Sequence, residues 1–151
     1  MEITILNCYD KRLEYLSRTA AKYFSEQLIQ NTRIRNNCKV TIEFTDELRV
    51  LKRDGECGID GYNTMKKPRT FSIRLSNDGS YHDKLSTLAH EMVHVKQYAY
   101  CQINDDLSKW KSKRVNSDIM EYEKYPWEIE ANKRGDKLYL SFLNDTGTVV
   151  E

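Results

Sequence analysis

An α+β fold is what this sequence predicts, and three observations predict it. Residues 9–30 and 127–143 carry apolar side chains at helical spacing. Residues 39–44 and 70–76 alternate apolar and polar side chains as half-buried strands do. A third helical stretch follows the second of these strands after one turn. At 151 residues the chain has the length of a single domain with a substantial core.

The elements are justified in order. Leu13, Leu16, Ala20, Tyr23, Phe24 and Leu28 fall on one face of the first helix, and Asp10 is a suitable N-cap. Residues 31–37 are polar and turn-like. Val40, Ile42 and Phe44 form one face of the first expected strand. Residues 46–53 fit a short helix or a strand equally well. Residues 55–62 are glycine-rich and suit a twisted strand or tight sheet turn better than a phosphate loop, since no helix follows. In residues 70–76, Phe71, Ile73 and Leu75 face inward; this segment is expected to be the edge strand of a short mixed or antiparallel sheet. After the turn Asn77-Asp78-Gly79, Ser80 and Asp83 have the form of a capping box. The helix they open carries Leu85, Leu88, Ala89, Met92 and Val93 as an apolar stripe and ends near residues 98–101. A polar connection, residues 102–126, is expected to form one wall of a cleft. The last helix is placed by Pro126 at its start and by a buried stripe of Ile129, Ala131, Gly135, Leu138 and Phe142. Residues 144–151 are expected to be a mobile tail.

Inside the third of these helical stretches lies His90-Glu91-Met92-Val93-His94. In a helix this spacing sets two imidazoles one turn apart on the same face, where they can take adjacent corners of a tetrahedral zinc site. Two imidazoles leave such a site needing a third protein ligand and an open position for water. A carboxylate held beside the ion, Glu91 here, can take the proton of that water. Only three His occur in the chain, and His82 lies outside the pattern, in a structural or exposed position. A carboxylate is the natural third ligand, with Glu121, Glu123, Glu128 and Glu130 as candidates. Glu128 is favoured, because Ala131, Asn132 and Gly135 share its helical face, with small residues for close approach and Asn132 placed to support an imidazole. Glu130 points about 200° away around the same helix. Tyr125, with Tyr122 as the alternative, is the candidate donor to an oxyanion. The same donor set also suits Mn, Co or Fe.

Composition narrows the partners. Lys and Arg number 24 and Asp and Glu 23, a net charge of +1 that gives no strong pull toward nucleic acid or anionic membrane. The basic cluster of Lys109, Lys111, Lys113 and Arg114 around Trp110 is the one stretch that suits nucleic acid. No apolar run approaches a membrane span, and the N-terminus lacks the basic start and long apolar region of a signal peptide. The expected location is the cytoplasm. Cys8, Cys38, Cys57 and Cys101 form no CxxC pair and are expected to be buried thiols rather than disulfides or a zinc ribbon.

Leu-Ala-His-Glu-Met-Val-His-Val-Lys-Gln-Tyr at residues 88–98 and Tyr-Pro-Trp-Glu-Ile-Glu-Ala-Asn at residues 125–132 resemble the small SprT-like and related gluzincin metallopeptidases, including phage and bacterial forms. The resemblance implies a zincin-like domain and a Glu ligand on a later helix, often followed four residues on by Asp or Asn, as Glu128 and Asn132 are. It also implies peptide hydrolysis at a zinc ion held by His90, His94 and Glu128, with Glu91 as general base and the substrate docked along the edge strand. For a phage-encoded form the location would be the host cytoplasm. SprT proteins typically carry a C-terminal zinc ribbon and act on DNA-attached proteins. The ribbon's cysteine pairs have no counterpart here, which sets the DNA-linked role apart from the rest.

Overall fold

The computed structural model describes residues 1–61, 67–104 and 106–150. Tyr62, the last residue of the glycine-rich stretch, lies outside them, as does Asp105 of the connection. The elements run β1 (Glu2–Leu6), α1 (Lys11–Leu28), α2 (Thr32–Asn37), β2 (Lys39–Thr45), β3 (Gly55–Ile59), β4 (Thr70–Ser76), α3 (Tyr81–Ala99), β5 (Lys109–Trp110), β6 (Lys113–Arg114) and α4 (Pro126–Thr146). Short 3₁₀ turns occupy Glu47–Arg49 and Tyr122–Lys124.

Four strands make one mixed sheet in the order β1-β2-β4-β3, with β1, β2 and β4 parallel and β3 antiparallel to β4. The inward residues Val40, Ile42 and Phe44 of β2 and Phe71, Ile73 and Leu75 of β4 are buried in one core with Leu16, Ala20 and Phe24 of α1 and Leu85, Leu88 and Met92 of α3. The outward residues are polar: Arg74 pairs with Glu47 and Glu56, and Ser72 donates to Asp60. Helices therefore cover one face and ion pairs the other, a two-layer arrangement. Among the described residues no helix is long and apolar enough to cross a membrane.

The α+β class and the principal helices stand where the sequence puts them. Asp10 caps α1 through bonds from the Arg12 and Leu13 amides, and its carboxylate also accepts from the Tyr81 hydroxyl at the start of α3. Ser80 and Asp83 form the reciprocal capping box.

Five expectations are corrected. The strand at residues 70–76 is internal, since it bonds β2 on one side and β3 on the other; the edge strand is β3, whose glycines weakened its sequence signal. Residues 32–37, expected to be turn-like, are helical; β1, in a segment for which the sequence reading offered no element, has Ile3 and Ile5 half-buried. Ile129 is exposed. It sits about 200° from Ala131, and Trp127 and Glu128 are the buried residues of that first turn. The tail does not start at residue 144: α4 continues to Thr146, Gly147 closes it in the left-handed conformation, and Val150 is buried while Arg12 holds the Val149 carbonyl. Of the four cysteines only Cys38 is buried, and Cys101 is exposed.

Candidate metal centre

α3 presents His90, Glu91 and His94 to an open cleft of about 950 Å³. Their ligand atoms all lie within 4.8 Å of one another. Burial grades across the helix: His90 is half-buried, while Glu91 and His94 are 5% and 8% exposed. The cap at Ser80 fixes where α3 begins, and Leu85, Leu88, Met92 and Val93 fix its rotation by sinking into the core, so the HExxH face is left toward the cleft.

The opposite side is the first turn of α4. Pro126 at the first helical position starts it, and Glu128 stands in that turn, where the helix dipole favours a carboxylate. Glu128 is 1% exposed. Its Oε1 lies 3.2 Å from His90 Nε2 and 3.2 Å from His94 Nε2, and its Oε2 is 3.0 Å from His94 Nε2. The Tyr122 hydroxyl donates to the same Oε1 at 2.6 Å. Glu130 turns the other way and accepts from Lys96 Nζ at 2.7 Å. Of the two carboxylates that the sequence sets in competition, it is Glu128 that meets both imidazoles.

These separations suit a metal as well as hydrogen bonds. With ligand bonds of roughly 2.0–2.1 Å, adjacent donors of a tetrahedral zinc site lie roughly 3.3 Å apart. The 3.0–3.2 Å between Glu128 and the two Nε2 atoms is close to such an edge. Two imidazoles and one carboxylate are also a donor set that borderline divalent ions accept.

The electrostatics are strongly coupled. Burial pushes Glu91 above the ordinary carboxylate range, an effect only partly offset by His94 and His90. Burial would also raise Glu128, but hydrogen bonds from His90, His94 and Tyr122 reverse this and hold it well below the usual value. His94 is disfavoured as a cation by burial, yet the contact with Glu128 and the charge of Glu91 carry its pKa upward. Burial and Glu128 raise Tyr122, which keeps its phenol protonated and a donor.

The remaining candidates are distributed as follows. Tyr125 lines the cleft, but its hydroxyl donates to the Ser117 carbonyl at 2.7 Å and its ring packs on Trp127. Tyr122, the alternative phenol, is the one on Glu128. Asn132 lines the cleft. Among the described residues, the side chain that engages a metal-candidate imidazole from behind is instead Gln97, whose Oε1 is 2.7 Å from His94 Nδ1. Sequence reasoning missed Gln97, although its position three residues after His94 is a usable signal. His82 is remote, bonded to the Tyr139 hydroxyl at 2.5 Å. Glu121 pairs with Lys124 and is exposed. The connection does supply a cleft wall through Ile103, Leu107, Tyr122 and Tyr125. The basic cluster forms the β5–β6 hairpin, with Lys109 opposite Arg114 and Lys111 over the Trp110 ring, outside the cleft lining.

The chain matches no family model, no curated protein and no solved structure.

Proposed function

We propose that this chain is a zinc-dependent metallopeptidase of the gluzincin type, with a zincin-like domain in which His90, His94 and Glu128 hold the ion. One observation carries the reading: Glu128 reaches from a separate helix to both imidazoles of an HExxH string, with Glu91 buried beside them at an open cleft. A divalent ion held there supplies Lewis acidity, making water nucleophilic at neutral pH and polarising a carbonyl. Glu91 is the general base. Its raised pKa suits it to accept a proton from the attacking water on a carboxylate oxygen and to return it to the amide nitrogen as the C–N bond breaks. Tyr122, whose one hydroxyl proton goes to Glu128 Oε1, is the phenol at the ligand set, and it would donate to the developing oxyanion by turning from that carboxylate.

Substrate docking follows from the sheet. β3 has one side on β4 and the other unpaired among the described strands, and Gly55, Glu56 and Cys57 line the cleft. An extended peptide that adds to this free side passes over Glu91. Gly55 keeps that flank low: a Cβ on it would lie 2.6 Å from Thr87 Cγ2 and 3.2 Å from Glu91 Oε1.

The test is zinc content by atomic spectroscopy together with cleavage of an unfolded protein, for wild type and Glu91→Gln. Both proteins should bind one zinc, and only wild type should cleave. Equal cleavage by the two would refute the mechanism, and zinc-loaded wild type that cleaves nothing would leave a binding protein rather than an enzyme.

A further inference from the structure

Gln97 is fully buried on the HExxH helix, and each polar atom of its amide is engaged. Nε2 donates one hydrogen to the Trp127 carbonyl at 3.0 Å and the other to Glu130 Oε1 at 3.2 Å. Both of those partners are acceptors only. Turning the amide over would set its oxygen against two other oxygens, so the orientation is determined by its surroundings rather than chosen. Oε1 is thereby aimed at His94 Nδ1, 2.7 Å away, and an oxygen there requires a proton on Nδ1.

We propose that Gln97 is the positioning residue of the metal centre: it keeps the proton of a neutral His94 on Nδ1 and so leaves the Nε2 lone pair for the ion, which would lie between Nε2 and Glu128. The inference rests on the metal-site reading and deepens it. A neutral imidazole carries one proton, and a metal takes the nitrogen without it. Gln97 puts that proton on the side away from the cleft. Its bond also stops rotation of the ring about the Cβ–Cγ axis, which would otherwise let Nδ1 compete for the ion.

The same geometry accounts for a lysine buried on α3. Lys96 is 6% exposed, a costly place for an ammonium. Its Nζ lies 2.7 Å from Glu130 Oε1, the very oxygen that receives Gln97 Nε2, and Lys111 Nζ approaches the other carboxylate oxygen at 3.8 Å. Lys96 and Lys111 hold Glu130 in place. Glu130 with the Trp127 carbonyl sets Gln97, and Gln97 sets His94. Glu130 therefore serves the site without touching the ion, and α4 contributes a direct contact through Glu128 and an indirect one through Glu130.

The test uses the whole chain with Zn²⁺ as probe. In zinc-loaded wild type, two-bond ¹H–¹⁵N spectra should show His94 bound through Nε2, with an Nδ1 proton protected from exchange. Gln97→Met keeps the volume but removes the acceptor. It should lower zinc affinity, measured by chelator competition, about 10- to 100-fold and abolish the exchange protection of the His94 proton. Unchanged affinity in a folded Gln97→Met protein would overturn the role. If that variant fails to fold, the wild-type spectrum decides alone: zinc on His94 Nδ1, or a freely exchanging Nδ1 proton, overturns the proposal. Wild type that binds no zinc would instead overturn the metal reading, and this inference with it.

Discussion

Gly135 of α4 lies directly against the backbone of His90: a Cβ on it would stand 3.0 Å from His90 Cα and 3.1 Å from His90 N. The two helices touch here, seven residues after Glu128, so the depth at which Glu128 enters the site is set by a missing methyl group. Gly135→Ala gains up to about 1 kcal/mol of helix propensity. The clash is with backbone, which cannot rotate aside, and overpacking of this kind costs about 1–3 kcal/mol. The variant should have a lower melting temperature and weaker zinc binding than wild type. A higher melting temperature with unchanged zinc affinity would show that α4 has room to spare.

Glu128 and Glu130 are two residues apart and face different partners, so their amide variants separate ligand from support. Glu128→Gln should lose zinc affinity by more than the roughly 10- to 100-fold expected of a supporting residue. Glu130→Gln retains an oxygen for Lys96 and Gln97 and should lose less. Chelator competition on both proteins measures the order, and the reverse order would reassign the third ligand.

The two tyrosines before α4 make a similar pair. Tyr122→Phe removes the hydroxyl on Glu128 and keeps the ring; its turnover should fall about 100-fold, with kcat affected more than KM, while zinc stays bound. Tyr125→Phe removes only the bond to the Ser117 carbonyl and should keep nearly full turnover. Steady-state kinetics on a quenched fluorescent peptide would show which phenol matters, and a larger loss at Tyr125 would hand it the oxyanion role.

Acid should weaken the junction between α1 and α3. The Tyr81 hydroxyl, then the Leu13 and Arg12 amides, hold the Asp10 carboxyl below its ordinary value. A carboxyl depressed in the folded state stabilises the fold above its unfolded pKa of about 3.9 and loses that contribution as pH falls through the folded value. Asp10→Asn should therefore be less stable than wild type at pH 7, and the gap should narrow toward pH 3. Urea midpoints at pH 7, 5 and 3 provide the check; a gap that widens on acidification would contradict the assignment.

How much of this was legible in the chain depends on how local each signal is. α3 could be read from cap to core because Ser80, Asp83 and the Leu85–Met92 stripe speak for themselves within one helix. β4 was equally plain in its alternation, but its place in the sheet was not, because neighbours are chosen by distant segments. β3 was obscured by Gly55, which is glycine because Thr87 and Glu91 crowd its flank. α2 has no fully buried residue and sets only Ile34 against the core, so it has no periodicity to detect. Helical phase alone separates Glu128, which meets the two imidazoles, from Glu130, which meets Lys96. Gln97 escaped notice because support for His94 was sought on the facing helix, whereas it lies one turn along the same one.

The bond pattern around Glu128 also has a meaning in polymer terms. An ion shared by His94 and Glu128 is a reversible cross-link between positions far apart in sequence, enclosing the whole connection that carries the cleft wall. Like a disulfide, such a clasp would restrict the unfolded chain more than the folded one, and its strength would vary with free metal concentration. Chelation would then open the loop, loosen the wall formed by Ile103, Leu107 and Tyr122, and expose that segment to proteolytic attack.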